Sequence, residues 1–230
     1  MIPSNGNFFL SRQLTFYNSE PFTHTGALAT YKASDKLSVI GGAVYGMDTG
    51  FDQFNGGASA IGGFTYAIND KTSLTYAGMF GNLGWRGDGS INSMILSRKW
   101  SDKWSTVHQF DVLGSNLDSD FNRNPTTVLP IFPITTKGIA GDSVGFINYA
   151  FYDLSPKTKA GVRYEWYKAD GTSYQTLTGG VNVKPTANLT IRPEVRYMFS
   201  EGNTQVYTGP DYRDQLFNQI VYGIDAILTF

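Results

Sequence analysis

The last stretch of the chain, residues 216–230, constrains the fold more than any other part of the sequence. It reads LFNQIVYGIDAILTF, and every second residue counted back from Phe230 is apolar or aromatic. The residues between them form a smaller and partly polar set that includes Asp225. A period of two predicts a β-strand with one apolar face and one mixed face, and the stretch is longer than most strands of globular proteins.

Composition excludes several classes of protein. The net charge of −1 gives no basic field that would favour nucleic acid as a partner, and the absence of cysteine excludes disulfides and thiolate metal sites. No sequence pattern requires a cofactor. No run approaches the roughly 18 apolar residues of a transmembrane helix. The N-terminus, MIPS, lacks the features of a signal peptide, so we expect an export signal to have been removed from this sequence.

Short polar turns alternate with longer connections along the chain. The turns are predicted at 34–36, 69–71, 101–103, 155–157 and 185–188, where Asp, Asn, Ser and Pro favour tight turns. The longer connections are predicted at 18–24, 49–57, 85–90, 116–142, 169–172 and 201–215. A hairpin and loop repeated in this way predict one domain over residues 1–230: an all-β, transmembrane, antiparallel up-and-down β-barrel of about twelve strands.

The predicted strands have polar and apolar faces that alternate. They cover 6–17, 25–33, 37–48, 58–68, 72–84, 91–100, 104–115, 143–154, 158–168, 173–184, 188–200 and 216–230. In 188–200, for example, Val195 and Tyr197 share one face, whereas Glu194 and Arg196 share the other. Aromatic residues near the strand ends favour an apolar face turned towards lipid. The last strand is predicted to pair with the first, near 6–17.

Three residues disturb this pattern. Arg12 and Arg98 fall in phase with apolar residues, where an arginine at mid-membrane costs about 2–4 kcal/mol and much less near an interface. We therefore expect a bulge, or a position near the strand end, at each arginine. Pro193 lacks a backbone donor, so a bulge is expected there as well.

Four motifs carry a resemblance to a known family. They are EPFTHTG at 20–26, DTGFD at 48–52, GNLGWRGD at 81–88 and RPEVRY at 192–197. Together they make the chain, from about Asn7 to Phe230, similar to the OmpL-like family of outer-membrane β-barrel porins. The last strand likewise resembles the closing strand of outer-membrane barrels. The resemblance implies a bacterial-type outer-membrane location and a porin activity, and members of the family are normally longer at the N-terminal end.

The inward face of the predicted barrel carries a mixed-charge patch on one wall. Strand 173–184 points mainly small residues inward, leaving space that neighbouring arginines could fill. Arg192 and Asp225 are expected to be neighbours in a hairpin register. Two interpretations stay open: the charges satisfy one another in a wet interior, or they form a constriction that selects solutes. The predicted pore-lining or constriction residues are Lys159, Arg163, Glu165, Arg192, Glu194, Arg196 and Asp225.

Three functions are compatible with this sequence. The first is an outer-membrane porin, a water-filled channel for passive diffusion of ions and small hydrophilic solutes, weakly selective because its inward charges are mixed. The second is a non-conducting barrel that acts as an anchor or adhesin through the apolar loop 116–142. The third, a barrel hydrolase centred on His24, is the least favoured, so we expect no enzyme activity. The expected partners are the lipid bilayer and the solutes; the oligomeric state is not determined by the sequence.

Loop 116–142 is unusually apolar for an exposed connection, so it is expected to pack on the rim or close the mouth of the barrel. The same loop begins a calcium-loop spacing at Asp118, Asp120 and Asn122. The glycine and the glutamate that complete an EF-hand are missing there, which leaves only a loose calcium site as an alternative.

Overall fold

The computed structural model describes residues 6–53, 56–84, 86–116, 142–169, 172–200, 207–208, 215–216 and 218–230. It contains one short helix, α1, and thirteen β-strands in that part of the chain. In chain order, the elements are α1 Leu14–Asn18, β1 Gly26–Lys32, β2 Leu37–Val44, β3 Ala58–Asn69, β4 Thr72–Asn82, β5 Asp88–Lys99, β6 Trp104–Ser115, β7 Ser143–Ser155, β8 Thr158–Ala169, β9 Thr172–Val183, β10 Leu189–Ser200, β11 Tyr207–Thr208, β12 Gln215–Leu216 and β13 Asn218–Leu228.

Eleven of the strands form one antiparallel up-and-down sheet. The order is β1 to β10 in sequence, followed by β13, and β11 and β12 form a separate small hairpin. The five predicted short turns are confirmed, since each lies between two paired strands. The predicted longer connection at 169–172 is wrong, because β8 ends at Ala169 and β9 begins at Thr172. No helix in the described part of the chain is long and apolar enough to span a membrane.

The two faces of the sheet have the polarity of a barrel that is surrounded by lipid. On β8, Arg163 and Glu165 are 1% and 0% exposed. Val162, which directly precedes Arg163, is 50% exposed. On β13, Tyr222 and Ile224 are 76% and 70% exposed. Charged residues inside and apolar residues outside reverse the pattern of a soluble protein. The predicted all-β transmembrane architecture is therefore confirmed, and so is the assignment of the two faces.

The predicted first strand, 6–17, is wrong. Residues 6–20, called the N-terminal segment below, are not part of the sheet, and they include helix α1. The apolar residues alternate from Phe8 to Phe16 as they would in a strand, but odd- and even-numbered residues both pack on the inner face of the sheet. Phe9 is buried, and the neighbouring Phe8 contacts the same wall. The carboxylate of Glu165 accepts hydrogen bonds from the backbone N–H groups of Leu14 and Thr15, so these groups do not need the acceptors of a neighbouring strand.

The predicted pairing of the last strand with the first is wrong for the same reason. Strand β13 pairs with β10 along its length, and β1 pairs with β2. Within the described residues, the second edges of β1 and β13 carry no partner strand, so the sheet is not closed.

The irregular residues behave differently from one another. At Pro193, the predicted bulge is wrong, because the register with β13 runs unbroken through Pro193 and Ile224. Proline lacks the backbone N–H donor of other residues, but no extra residue is inserted into the strand at this position. Arg98 also pairs regularly, which contradicts a bulge there; it lies next to the end of β5, with its guanidinium 4.0 Å from the ring centre of Trp100. The predicted position near the strand end is therefore confirmed for Arg98, whereas Arg12 lies in the N-terminal segment.

Candidate functional site

The predicted charged residues of β8 and β10 form one wall on the inner face of the sheet. Arg163, Glu165, Arg192, Glu194 and Arg196 are all buried. They are covered by the N-terminal segment, which contacts each of them. The sequence placed these residues on one face but missed their cover. That they line or constrict a pore stays a prediction.

The three arginines bind the backbone of the N-terminal segment. Arg163 donates to the carbonyl oxygen and to the hydroxyl of Ser11, both at 2.8 Å. Arg192 donates to the carbonyl oxygen of Asn7 at 2.6 Å, and Arg196 donates to that of Arg12 at 3.0 Å. Guanidinium groups therefore supply the donors that a neighbouring strand would otherwise give to these carbonyl groups.

The two glutamates bind the donors of the same segment. Glu165 accepts hydrogen bonds from the backbone nitrogens of Leu14 and Thr15, at 2.9 and 2.8 Å, and from the Thr15 hydroxyl at 2.8 Å. Glu194 accepts the backbone N–H and the hydroxyl of Ser11. Hydrogen bonds to ionised groups are about twice as strong as neutral ones. The wall is therefore a docking surface for residues 7–15.

Asp225 and Lys159, the two remaining predicted residues, lie in different surroundings. Asp225 is directly opposite Arg192 in the register and accepts its Nε–H at 2.8 Å, which confirms the predicted neighbours. Lys159 lies close to the short turn after β7, 3.8 Å from a carboxylate oxygen of Asp153 and 5.3 Å from the ring centre of Phe151. Only Asp225 belongs to the network that holds the segment.

Glycines on the inner face make room for the segment. A Cβ atom on Gly145 of β7 would lie 2.4 Å from the Thr15 hydroxyl, and one on Gly161 of β8 would lie 2.4 Å from the ring of Phe8. Such distances are much shorter than van der Waals contact. The small inward residues of β9 serve the same purpose, since Gly180 faces the ring of Phe9. The space predicted beside the arginines exists, but the N-terminal segment fills much of it.

A half-enclosed cavity of about 470 Å³ remains beside the segment. The segment lines it with Arg12, Phe16 and Glu20, and the inner faces of β3 to β6 form the opposite wall. Sequence reasoning missed this cavity, although the signal was present. Ile91 and Ile95 lie at inward positions of β5, where a water-filled lumen would favour polar residues.

Glu20 borders the cavity, and Gln109 connects it to a second carboxylate, that of Asp111. The side-chain amide of Gln109 donates to Glu20 at 3.0 Å and to Asp111 at 2.8 Å. The pKa of the Glu20 carboxyl is raised to about 7, mainly by burial and then by the charge of Asp111, and the hydrogen bond from Gln109 opposes the increase. Glu20 lies in the N-terminal segment, outside the strands.

The raised pKa predicts that acid stabilises the docked segment. The pKa of Glu20 is about 7 in the folded protein, against a usual value of 4.5. Its contribution to stability is therefore complete below pH 4.5 and is lost as the pH rises through 7. Thermal unfolding of the refolded protein in detergent, at pH 5.5 and pH 8, would measure this. We expect Glu20→Gln to lose less stability than the original protein between the two pH values; equal losses would contradict the assignment.

The least favoured hypothesis, a hydrolase centred on His24, gains no support from the geometry. The Nδ1 atom of His24 lies 3.4 Å from the carbonyl oxygen of Gly46, and Glu20 is engaged with Gln109. The apolar part of loop 116–142 and the calcium-like spacing at 118–122 fall within 117–141, outside the described residues.

The comparisons with known proteins agree with this architecture. The family model described as "Putative beta-barrel porin-2, OmpL-like" matches residues 1–230. No curated protein matches the sequence. Among solved structures, the anion-selective porin from Comamonas acidovorans has a TM-score of 0.59 at 11% identity, over 88% of this chain and 58% of that chain. The outer membrane channel DcaP of Acinetobacter baumannii has a TM-score of 0.58 at 11% identity, over 87% and 61%.

At such identities, the solved structures show the fold alone. A third one, the CymD monoaromatic hydrocarbon channel, has a TM-score of 0.51 at 13% identity, over 90% of this chain and 72% of that chain. The chain thus spans less than two thirds of the length of the first two structures that it matches. Because the family model covers the whole sequence, the chain belongs to the OmpL-like β-barrel porin family of outer-membrane proteins.

Proposed function

We propose that this protein is an outer-membrane channel for passive diffusion of ions and small hydrophilic solutes, narrowed from within by its own N-terminal segment. The observation that carries this proposal is the position of the segment. It covers the charged wall of β8 and β10, and a cavity of about 470 Å³ continues beside it. The solute path would therefore run between the segment and the inner faces of β3 to β6.

The predicted constriction residues take a different role in this proposal. Arg163, Glu165 and Arg196 bind the backbone of the segment and would set the width of the path by holding it in place. Solutes would meet Arg12 and Glu20 of the segment instead. These two side chains have opposite formal charges, which supports the weak selectivity expected from the sequence.

A specific observation also supports the second candidate, a non-conducting barrel that serves as an anchor or adhesin. The segment is held by charge-assisted hydrogen bonds from two strands, β8 and β10, so it could block the lumen as a permanent plug. The two functions differ in one measurable property, the current through the folded protein.

Current through a planar bilayer would distinguish the two functions. We expect the refolded chain to give stable, small unitary currents, and a variant lacking residues 6–18 to give larger ones, because the deletion removes the segment from the lumen. If the shortened variant conducts and the full chain does not, the result would favour the non-conducting barrel, with the segment as its plug. If neither protein conducts, although both show the circular dichroism of a folded sheet, the channel proposal fails.

A matched control uses the absence of cysteine from the chain. The hydroxyls of Ser19 and Ser143 lie 2.5 Å apart, and their hydrogen bond joins the segment to β7. The double variant Ser19→Cys with Ser143→Cys is therefore expected to form a disulfide that locks the segment in place. Oxidised, it should conduct like the original protein.

A further inference from the structure

The cavity beside the N-terminal segment has an apolar wall. Ile61, Met79, Ile91 and Ile95 line it from the strands, and Phe16 lines it from the segment. A path for ions and sugars alone does not require such a wall, since buried apolar surface offers them no hydrogen bonds. The volume of about 470 Å³ falls in the range of pockets that bind small organic molecules.

One border of the cavity is acidic. Glu20 and Gln109 line it, and the side-chain amide of Gln109 donates both to Glu20 and to Asp111, which lies behind the lining. Asp111 is 2% exposed, and its Oδ1 atom has no hydrogen-bond partner among the described residues. A buried carboxylate is stabilised by nearby positive charge, so a cation bound at Glu20, beside Gln109, would favour the ionised form of Asp111 as well.

The other charged groups around Glu20 leave this acidic character in place. Glu165 on β8 faces it as well, but Leu14 and Thr15 donate to that carboxylate. Arg12 of the segment is the facing cation, and His24 lines the cavity from the chain that follows the segment. Glu20 and Asp111 together therefore carry more formal negative charge than Arg12 offsets.

We propose that this cavity binds a small organic cation with an apolar body, such as an aryl- or alkylammonium ion. The ammonium group would donate to the carboxylate of Glu20, beside Gln109, and the apolar body would pack on Ile91, Ile95 and Phe16. This inference rests on the proposed channel only in that it names the class of solute that the path would favour.

The test is titration calorimetry of the full chain, refolded in detergent, at pH 8. The probes are 2-phenylethylammonium, its neutral analogue 2-phenylethanol, the anion 3-phenylpropanoate, and methylammonium, which lacks the apolar body. We expect 2-phenylethylammonium to bind about tenfold or more tightly than each of the others, as the loss of one charge-assisted hydrogen bond or of one apolar group predicts. Equal binding of all four probes would overturn the proposal.

Variants assign the binding to this cavity. Glu20→Gln should weaken 2-phenylethylammonium about tenfold and leave 2-phenylethanol unchanged, whereas Ile95→Ser should weaken both. Asp35→Asn, in an exposed short turn, is the matched control and should bind like the original protein. If Glu20→Gln binds the ammonium probe as tightly as the control does, the site is elsewhere and the proposal is wrong.

Protonation gives an independent readout. Binding of 2-phenylethylammonium should weaken as the pH falls from 8 to 5.5, and this dependence should be smaller in Glu20→Gln. Calorimetry requires no current through a bilayer, so its result is separate from that of the channel. A protein that conducts but does not prefer the ammonium probe refutes this inference alone, and one that binds the probe without conducting refutes only the channel.

Discussion

Glu165→Ala is expected to release the N-terminal segment from the charged wall and to increase the current through the protein. Glu165 is 0% exposed and accepts three hydrogen bonds from Leu14 and Thr15. Its removal leaves those donors without an acceptor. Each buried donor left unsatisfied costs about 1–3 kcal/mol.

Two controls separate release of the segment from general damage. Glu165→Gln keeps the shape and one acceptor oxygen, so we expect a smaller increase in the current. Glu165→Ala combined with the oxidised disulfide between positions 19 and 143 should return to the original current, since the segment stays attached to β7. An unchanged current in Glu165→Ala would show that the segment does not narrow the path, or that the remaining contacts suffice to hold it.

Gly145→Val should displace the segment by steric conflict, while the sheet stays intact. A Cβ atom there would lie 2.4 Å from Oγ1 and 3.2 Å from Cβ of Thr15, so rotation of the threonine side chain alone does not relieve the contact. Valine favours the strand conformation, so the sheet should tolerate it. Overpacking costs about 1–3 kcal/mol, and this cost would destabilise the docked position of the segment. Gly161→Val should act similarly through Phe8, which a Cβ atom would approach to 2.4 Å.

Tryptic cleavage after Arg12, read by mass spectrometry, measures the displacement. We expect faster cleavage in Gly145→Val and Gly161→Val than in the original protein. Gly179→Val is the matched control, because its Cβ atom would lie 3.9 Å from Val195 on the outward face. Equal cleavage rates in all three variants would mean that the inward glycines are not what accommodates the segment.

The sequence was sufficient to predict the eleven strands of the large sheet because their signal is local. A period of two assigns each strand its two faces without reference to the rest of the chain. The polar turns then place neighbouring strands in register, and for this reason the pairing of Arg192 with Asp225 could be predicted and is confirmed. The exposed Ile224 and the buried Glu165 lie on the faces that the alternation assigned to them.

The N-terminal segment could not be predicted by the same reasoning. Its partners are distant in sequence: Ser11 binds Glu194, and Thr15 binds Glu165. Alternating apolar residues at 8–16 satisfy the pattern of a strand, whereas only the folded sheet provides carboxylates and guanidinium groups for its backbone. The cavity was missed as a consequence, because it is bounded by this segment on one side and by β3 to β6 on the other.

The number of strands in the sheet has a topological consequence. In an up-and-down sheet of eleven strands, β1 and β13 cross the membrane in the same direction. Joining these two edges directly would give a parallel seam, so an antiparallel seam requires an odd number of additional crossings between them. Two copies standing upright in one membrane cannot provide it by edge-to-edge contact, because every available edge then points the same way.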